Sequence, residues 1–279
     1  MAACAAQANP FENGGAGGDA AAPPPKDGGS GTFFDSGSQP PPPDYDTGSP
    51  PPPGQDASQP PPPTCTTTLI DDMDHGDNSI LKVDGRTGFW YTYNDGTTGG
   101  TQTPAIGSFE PTVITGPGLD DAGASDGGAD GGVDHAAETA GSGFTNWGAG
   151  MGFDLNNQGG NSPKQTYSVS GCGYTGLQFW ARVGATSTTA VRLNVPDKNT
   201  DPSGGVCAPA SKCNDHFGEA LTLSTAWTLV TVHWTDLKQQ GWGTPQEPAL
   251  DTGNLVGVQF QFAPSATFEL WVADISFTK

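Results

Sequence analysis

Gly176-Leu177-Gln178-Phe179-Trp180-Ala181-Arg182-Val183 puts Leu177, Phe179, Ala181 and Val183 on one side of an extended chain and Gln178, Trp180 and Arg182 on the other. Successive side chains of a strand point to opposite faces, so this alternation marks a strand with one buried side. The pattern recurs. Val191, Leu193 and Val195 alternate with Arg192 and Asn194; Val256, Val258, Phe260 and Phe262 with Gly257, Gln259 and Gln261; Phe268, Leu270 and Val272 with Glu269, Trp271 and Ala273. Further strands are predicted over 66–71, 89–93, 111–115, 151–155, 166–170, 220–223 and 227–234, bounded by Gly, Pro, Asn and Asp. Only 236–240 reads as a short helical turn. About ten strands with almost no helix specify an all-β chain, an antiparallel β-sandwich of jelly-roll type.

Outward from these strands the composition changes. Of 279 residues 42 are Gly and 26 Pro, and no Val, Ile, Leu or Trp precedes Leu69. Residues 1–64 therefore have nothing to bury against the ordering entropy of their backbone and are expected to form a disordered Pro/Gly-rich stalk, with the sandwich over 65–279. Pro40 to Pro43, Pro50 to Pro53 and Pro60 to Pro63 form three blocks that favour polyproline II, joined by Gly, Ser and Asp. Adaptor ligands of the PxxP kind share this composition, but ahead of a β-rich domain the tract reads as a spacer. Met1-Ala2-Ala3-Cys4 resembles the end of a bacterial lipoprotein signal, which implies lipidation of Cys4 and an extracellular or outer-surface location. No charged n-region and apolar h-region of an intact signal peptide stand ahead of it. No apolar run reaches the length of a membrane-spanning helix.

The formal charge is −20, from 10 basic and 30 acidic residues. Phosphate binding needs a basic footprint, so nucleic acid is excluded as a partner, and anionic membrane surfaces are disfavoured. Neutral ligands and cations remain. Residues 116–143 interrupt the strand pattern with Gly, Ala and acidic residues, among them Asp126, Asp130 and Asp134 at four-residue intervals. Calcium-binding glycine–aspartate repeats have a different spacing, and a flexible acidic surface loop is expected. Cys207 and Cys213 close a Gly/Pro-bearing loop. With His216 they could offer three zinc ligands, but paired zinc cysteines are usually separated by two to four residues, and a disulfide is expected. Cys65 and Cys172 remain for a second bridge, a pairing that sequence does not establish.

Leu69-Ile70-Asp71-Asp72-Met73-Asp74-His75-Gly76 is similar to the opening of bacterial carbohydrate-binding modules with a galactose-binding-like jelly roll, family 11 and its relatives. Phe268-Glu269-Leu270-Trp271-Val272-Ala273-Asp274-Ile275 resembles their last strand. Segments 88–96, 143–148 and 196–217 resemble parts of exported proteins from polysaccharide-degrading bacteria. The family resemblance implies a structural calcium tying first strand to last, with Asp72, Asp74 and Asp274 as oxygen ligands. Calcium takes six to eight hard oxygens, and clustered carboxylates repel without a cation. Ala273 stands where the family's closing pair has its first Asp. The alternative is that the acidic opening is a solvated turn.

Sugar sites combine exposed aromatics with amide, guanidinium and carboxylate groups. The polar sides of the alternating strands supply that mixture: Gln178, Trp180 and Arg182; Arg192 and Asn194; Gln259 and Gln261; Glu269 and Trp271. If these strands are neighbours they share one surface, which Tyr91, Tyr93 and Trp147 are placed to rim. The plainer reading is that these side chains face water and that each Trp covers a loop. Hydrolysis would need two carboxylates flanking the bond; Glu269 is the only Glu in the core strands, with Glu110 and Glu219 near strand ends and His216 and His233 as available imidazoles. No Ser-His-Asp spacing, phosphate loop or nucleotide fingerprint occurs. The expectation is a monomeric, tethered, non-catalytic binder of β-glucan or plant-type polysaccharide. A jelly-roll glycan-cleaving enzyme is the alternative, and a structural envelope lipoprotein without ligand the third reading.

Overall fold

The computed structural model describes residues 64–114, 134–157, 164–204 and 206–279. The expected stalk, its proline blocks, Cys4, Asp126 and Asp130 lie outside the described residues. The described chain forms twelve strands in two antiparallel sheets, with no α-helix.

The larger sheet has the order β10 (Thr228–His233), β7 (Gly176–Val183), β12 (Phe268–Thr278), β5 (His135–Ser142), β3 (Thr101–Thr103). In addition β1 (Leu69–Asp71) pairs with β12, and β4 (Thr112–Val113) with β5. The smaller sheet runs β2 (Trp90–Asn94), β6 (Ala149–Asp154), β11 (Gly257–Phe262), β8 (Ala190–Val195), β9 (Phe217–Thr222). The apolar half of each alternating strand meets its counterpart between the sheets. Phe179 of β7 packs edge-on against Phe260 of β11 with ring centroids 5.2 Å apart. Phe262 stacks on Phe268 at 4.5 Å, and Trp90 packs on Phe153 at 4.7 Å. All three of Phe179, Phe260 and Phe262 are fully buried. Each such ring contributes about 2–3 kcal/mol by leaving water.

Three expectations fail locally. Over 166–170 no strand forms, only an isolated bridge from Tyr167 to Leu255. The expected helical turn at 236–240 is irregular, because Lys238 pairs with Gly218 and commits the segment to the edge of β9. Most of the expected acidic loop is undescribed, but its end is β5, which lies between β12 and β3. Its sequence, His-Ala-Ala-Glu-Thr-Ala-Gly-Ser, has no large apolar residue. Small residues are needed there: a Cβ on Gly141 would come within 2.6 Å of the Phe268 ring.

Both disulfides are present, Cys207–Cys213 and Cys65–Cys172. The second joins the residue just ahead of β1 to a turn 107 positions later.

Candidate functional site

The alternation puts Tyr91 and Tyr93 of β2, Gly150 and Gly152 of β6, Gln259 and Gln261 of β11, and Arg192 and Asn194 of β8 on the outer face of the smaller sheet. Register aligns them in two rows. One runs Tyr91, Gly152, Gln259, Asn194, Gly218; the other Tyr93, Gly150, Gln261, Arg192, Ala220. The glycines of β6 leave room for the tyrosines to lie flat. A Cβ on Gly150 would stand 2.7 Å from Tyr93 Oη, so the ring occupies that space. Tyr93 Oη reaches across to Phe260 O at 3.4 Å, and Gln259 Nε2 donates to Tyr91 Oη at 3.3 Å. Tyr93 stacks on Trp147 with centroids 6.0 Å apart.

The polar groups form a chain of hydrogen bonds across the sheet. Arg192 Nη2 donates to Lys238 O at 2.7 Å and its Nε to Asn194 Oδ1 at 2.9 Å. Asn194 Nδ2 then donates to Gln261 Oε1, and Gln261 Nε2 to Trp147 O, both at 3.1 Å. Each link orients the next, so the face is held before any ligand arrives. Burial pushes the Arg192 pKa down, against the pull of the Asp215 charge. Burial pushes the Tyr91 and Tyr93 phenols up, so both stay neutral hydrogen-bonding groups.

At the Tyr91 end the ammonium of Lys164 sits between two carboxylates, 3.0 Å from Asp154 Oδ1 and 3.7 Å from Asp201 Oδ2, and 5.5 Å from the Tyr91 ring centroid. His216 is buried, bonded through Nδ1 to Thr200 Oγ1 at 3.0 Å, and burial pushes its pKa down to about 4. It is a neutral structural imidazole, shut away from any ligand on the face.

The expected single surface is thus two surfaces. Arg192, Asn194, Gln259, Gln261, Tyr91, Tyr93 and Trp147 come together. Gln178, Trp180, Arg182 and Trp271 do not join them, because β7 and β12 belong to the other sheet. There Trp271 is buried and forms a second small apolar cluster with Ile114, Ala136 and Ala273, against which Trp180 and Trp227 pack. The Arg182 guanidinium lies 3.8 Å from the Trp271 centroid and 5.3 Å from that of Trp227. Trp271 is covered on that side and offers no open stacking surface.

The residues expected to hold calcium were Asp72, Asp74 and Asp274. Among the described residues, the group whose ligand atoms approach within 4.8 Å of one another is Asp71, Asp72 and His75, which shares only Asp72 with that set. Asp71 is fully buried; its Oδ2 accepts from Trp90 Nε1 at 2.6 Å and its Oδ1 from the Met73 N–H at 3.3 Å. Burial pushes its pKa up to about 7. Asp74 Oδ1 accepts from the His135 N–H at 3.0 Å. The trio of Asp71, Asp72 and His75 includes an imidazole, so it is a different donor set from the all-oxygen Asp72, Asp74 and Asp274 expected for calcium.

No protein-family model and no curated protein matches the sequence. Solved structures do match. The chain is similar to CtCBM11, known from a solution structure with binding studies, at 13% identity and a TM-score of 0.45, over 75% of this chain and 93% of that one. It is similar to the family 11 carbohydrate-binding module of a cellulosomal cellulase of Clostridium thermocellum at 11% identity and a TM-score of 0.44, over 76% and 94%. It is also similar to a family 30 carbohydrate-binding module from a cellulosomal cellulase of the same organism, at 15% identity and a TM-score of 0.38, over 68% and 98%.

Proposed function

We propose that the outer face of the smaller sheet binds a neutral polysaccharide and does not cleave it. One observation carries this reading: the ordered chain Arg192–Asn194–Gln261–Trp147, set beside the half-buried Trp147 ring, which is backed by the buried Tyr93. Amide and guanidinium groups fixed next to aromatic rings suit the hydroxyl edges and C–H faces of sugar rings. Charge favours a neutral chain over an anionic one, since the formal charge is −20 and Lys164 is already paired with Asp154 and Asp201. Within neutral polysaccharides we propose a β-linked glucan, the ligand class implied by the likeness of 69–76 and 268–275 to family 11 modules.

The groups on this face support binding without cleavage. Acid–base chemistry needs a titrating group that can reach the bond. His216 is buried, Asp154 and Asp201 hold Lys164, and the phenols stay protonated. Two disulfides fit an oxidising, extracellular setting. In the same reading the tract ahead of Cys65 is the tether and Cys4 its lipid attachment point.

A panel of neutral and acidic polysaccharides tests the proposal, read for co-sedimentation and for new reducing ends or unsaturated products. Retention on a β-glucan without new ends is expected. New ends would establish the glycan-cleaving enzyme, and no retention on any polysaccharide would leave the ligand-free structural protein.

A further inference from the structure

Six of the seven Trp residues have a packing partner or a bonded indole. Trp90 lies in the core and donates to Asp71; Trp234 Nε1 donates to Tyr174 O at 3.0 Å; Trp180, Trp227 and Trp271 share the second apolar cluster; Trp147 stacks on Tyr93. Trp242 differs. It is partly exposed, belongs to neither apolar cluster, and among the described residues has no ring partner and no hydrogen bond from its indole.

Its backbone, by contrast, is tightly held. The buried carboxylate of Asp215 accepts the N–H groups of Gln240 at 2.8 Å, Gly241 at 2.8 Å and Gly243 at 3.0 Å, and also Gln246 Nε2 at 3.0 Å. Two of these donors, Gly241 and Gly243, flank Trp242 directly. The same device holds Trp147: Asp95 Oδ2 accepts the N–H groups of Asn146 at 2.8 Å, Trp147 at 3.0 Å and Gly148 at 3.0 Å. The two loops sit at opposite edges of the smaller sheet. Trp147 meets β2 through Tyr93, while the Trp242 loop begins at Lys238, which pairs with Gly218 of β9 and accepts Arg192 Nη2.

We infer that Trp242 is a ligand-contacting aromatic at the β9 edge, the far counterpart of Trp147. This rests on the glycan reading of the face. A rigid loop that presents an aromatic ring with no packing duty lowers the ordering cost of binding. Four strand spacings separate β2 from β9, about 19 Å, so a glycan that reaches both edges is roughly four or more pyranose units long. Trp242 therefore confers selectivity for chain length.

The test uses the full chain and calorimetric titration with a β-linked gluco-hexaose and the matching biose. Trp242→Ala should weaken the hexaose about tenfold, the loss of one stacking anchor, leave the biose and Tm unchanged, and be partly restored by Trp242→Phe. Gln261→Ala, at the middle of the face, should weaken both sugars. If Gln261→Ala loses affinity while Trp242→Ala binds the hexaose like the parent, the Trp242 inference falls and the glycan reading stands. Failure of the parent to bind either sugar overturns both for this ligand class. A lower Tm in Trp242→Ala would make it a packing residue and overturn the inference.

Discussion

Replacing Asp215 tests the loop machinery beside the face most directly. The residue is 2% exposed, and its carboxylate takes four N–H donors at 2.8–3.0 Å. In Asp215→Ala all four lose their acceptor. The amides of Gln240 and Gly241 belong to exposed residues and can turn to water, whereas Gly243 is buried. At about 1 kcal/mol for each of the three donors that can turn to water and about 1–3 for the stranded buried one, the loss comes to about 4–6 kcal/mol. Asp215→Asn keeps an oxygen for the three donors now on Oδ2 but turns an amide toward Gln240, and should cost about 2 kcal/mol. For a domain of this size the Ala variant should melt on the order of 10 °C lower.

The effect has a pH signature. Burial raises the Asp215 pKa, but the Gln246 amide and the backbone N–H groups overcome it and hold the group below its ordinary 3.8. A depressed folded pKa gives stability that is complete above the unfolded value and lost as pH falls through the folded one. The gap between parent and Asp215→Asn should therefore be full at pH 7 and shrink below about pH 4. Urea melts at pH 7, 5, 4 and 3 measure it. An Ala variant within 1 kcal/mol of the parent, or a gap to Asn that does not narrow in acid, would refute the argument.

Other perturbations separate the two outer faces. Trp271→Ala should cost about 3–5 kcal/mol of folding stability by denaturant titration yet leave glucan affinity unchanged, because its ring is buried under Arg182 on the larger sheet. Gly150→Ala should cost about 1–3 kcal/mol of folding stability as well as weakening glucan binding in affinity electrophoresis, since the new Cβ would stand 2.1 Å from the Phe260 backbone oxygen and 2.7 Å from Tyr93 Oη. Removing the Cys65–Cys172 bridge by paired Ser substitution should cost about 4–5 kcal/mol, and removing Cys207–Cys213 about 2, in the same titration, because a longer closed loop constrains the unfolded chain more. If Asp72, Asp74 and Asp274 hold calcium, chelating divalent cations should lower Tm by differential scanning fluorimetry, and an unchanged Tm would refute that expectation.

The strands carrying large residues at period two, such as β7, β11 and β12, were legible in the sequence, as was the sandwich they form. So was the split of each strand into an apolar and a polar side. What alternation does not encode is which strands are neighbours. Gln178 and Gln259 look alike in their segments, yet β7 joins β10 and β12 while β11 joins β6 and β8. That choice is made by crossovers between sheets, which leave no local mark. β5 was hidden for another reason: its place beside Phe268 demands small residues, which read as loop. Trp242, a loop Trp between two glycines, carries no periodic signal. The cue was Asp215, whose acceptors find their donors 25 to 28 residues onward.

The bridge at Cys65 also decides how the domain responds to force. β1 has three residues and pairs only with β12, so a pull on the preceding chain would peel it away one hydrogen-bonded pair at a time. Cys65 stands ahead of β1 and is bonded to Cys172, close before β7. Tension arriving from the N-terminal side passes through sulfur to the turn beside β7 before it reaches Leu69. β7 is flanked by β10 and β12 over most of its length, and loading it must shear many bonds at once. The covalent link turns a zipper into a clamp, and with the bridge reduced the same pull would open the sheet from its weakest strand.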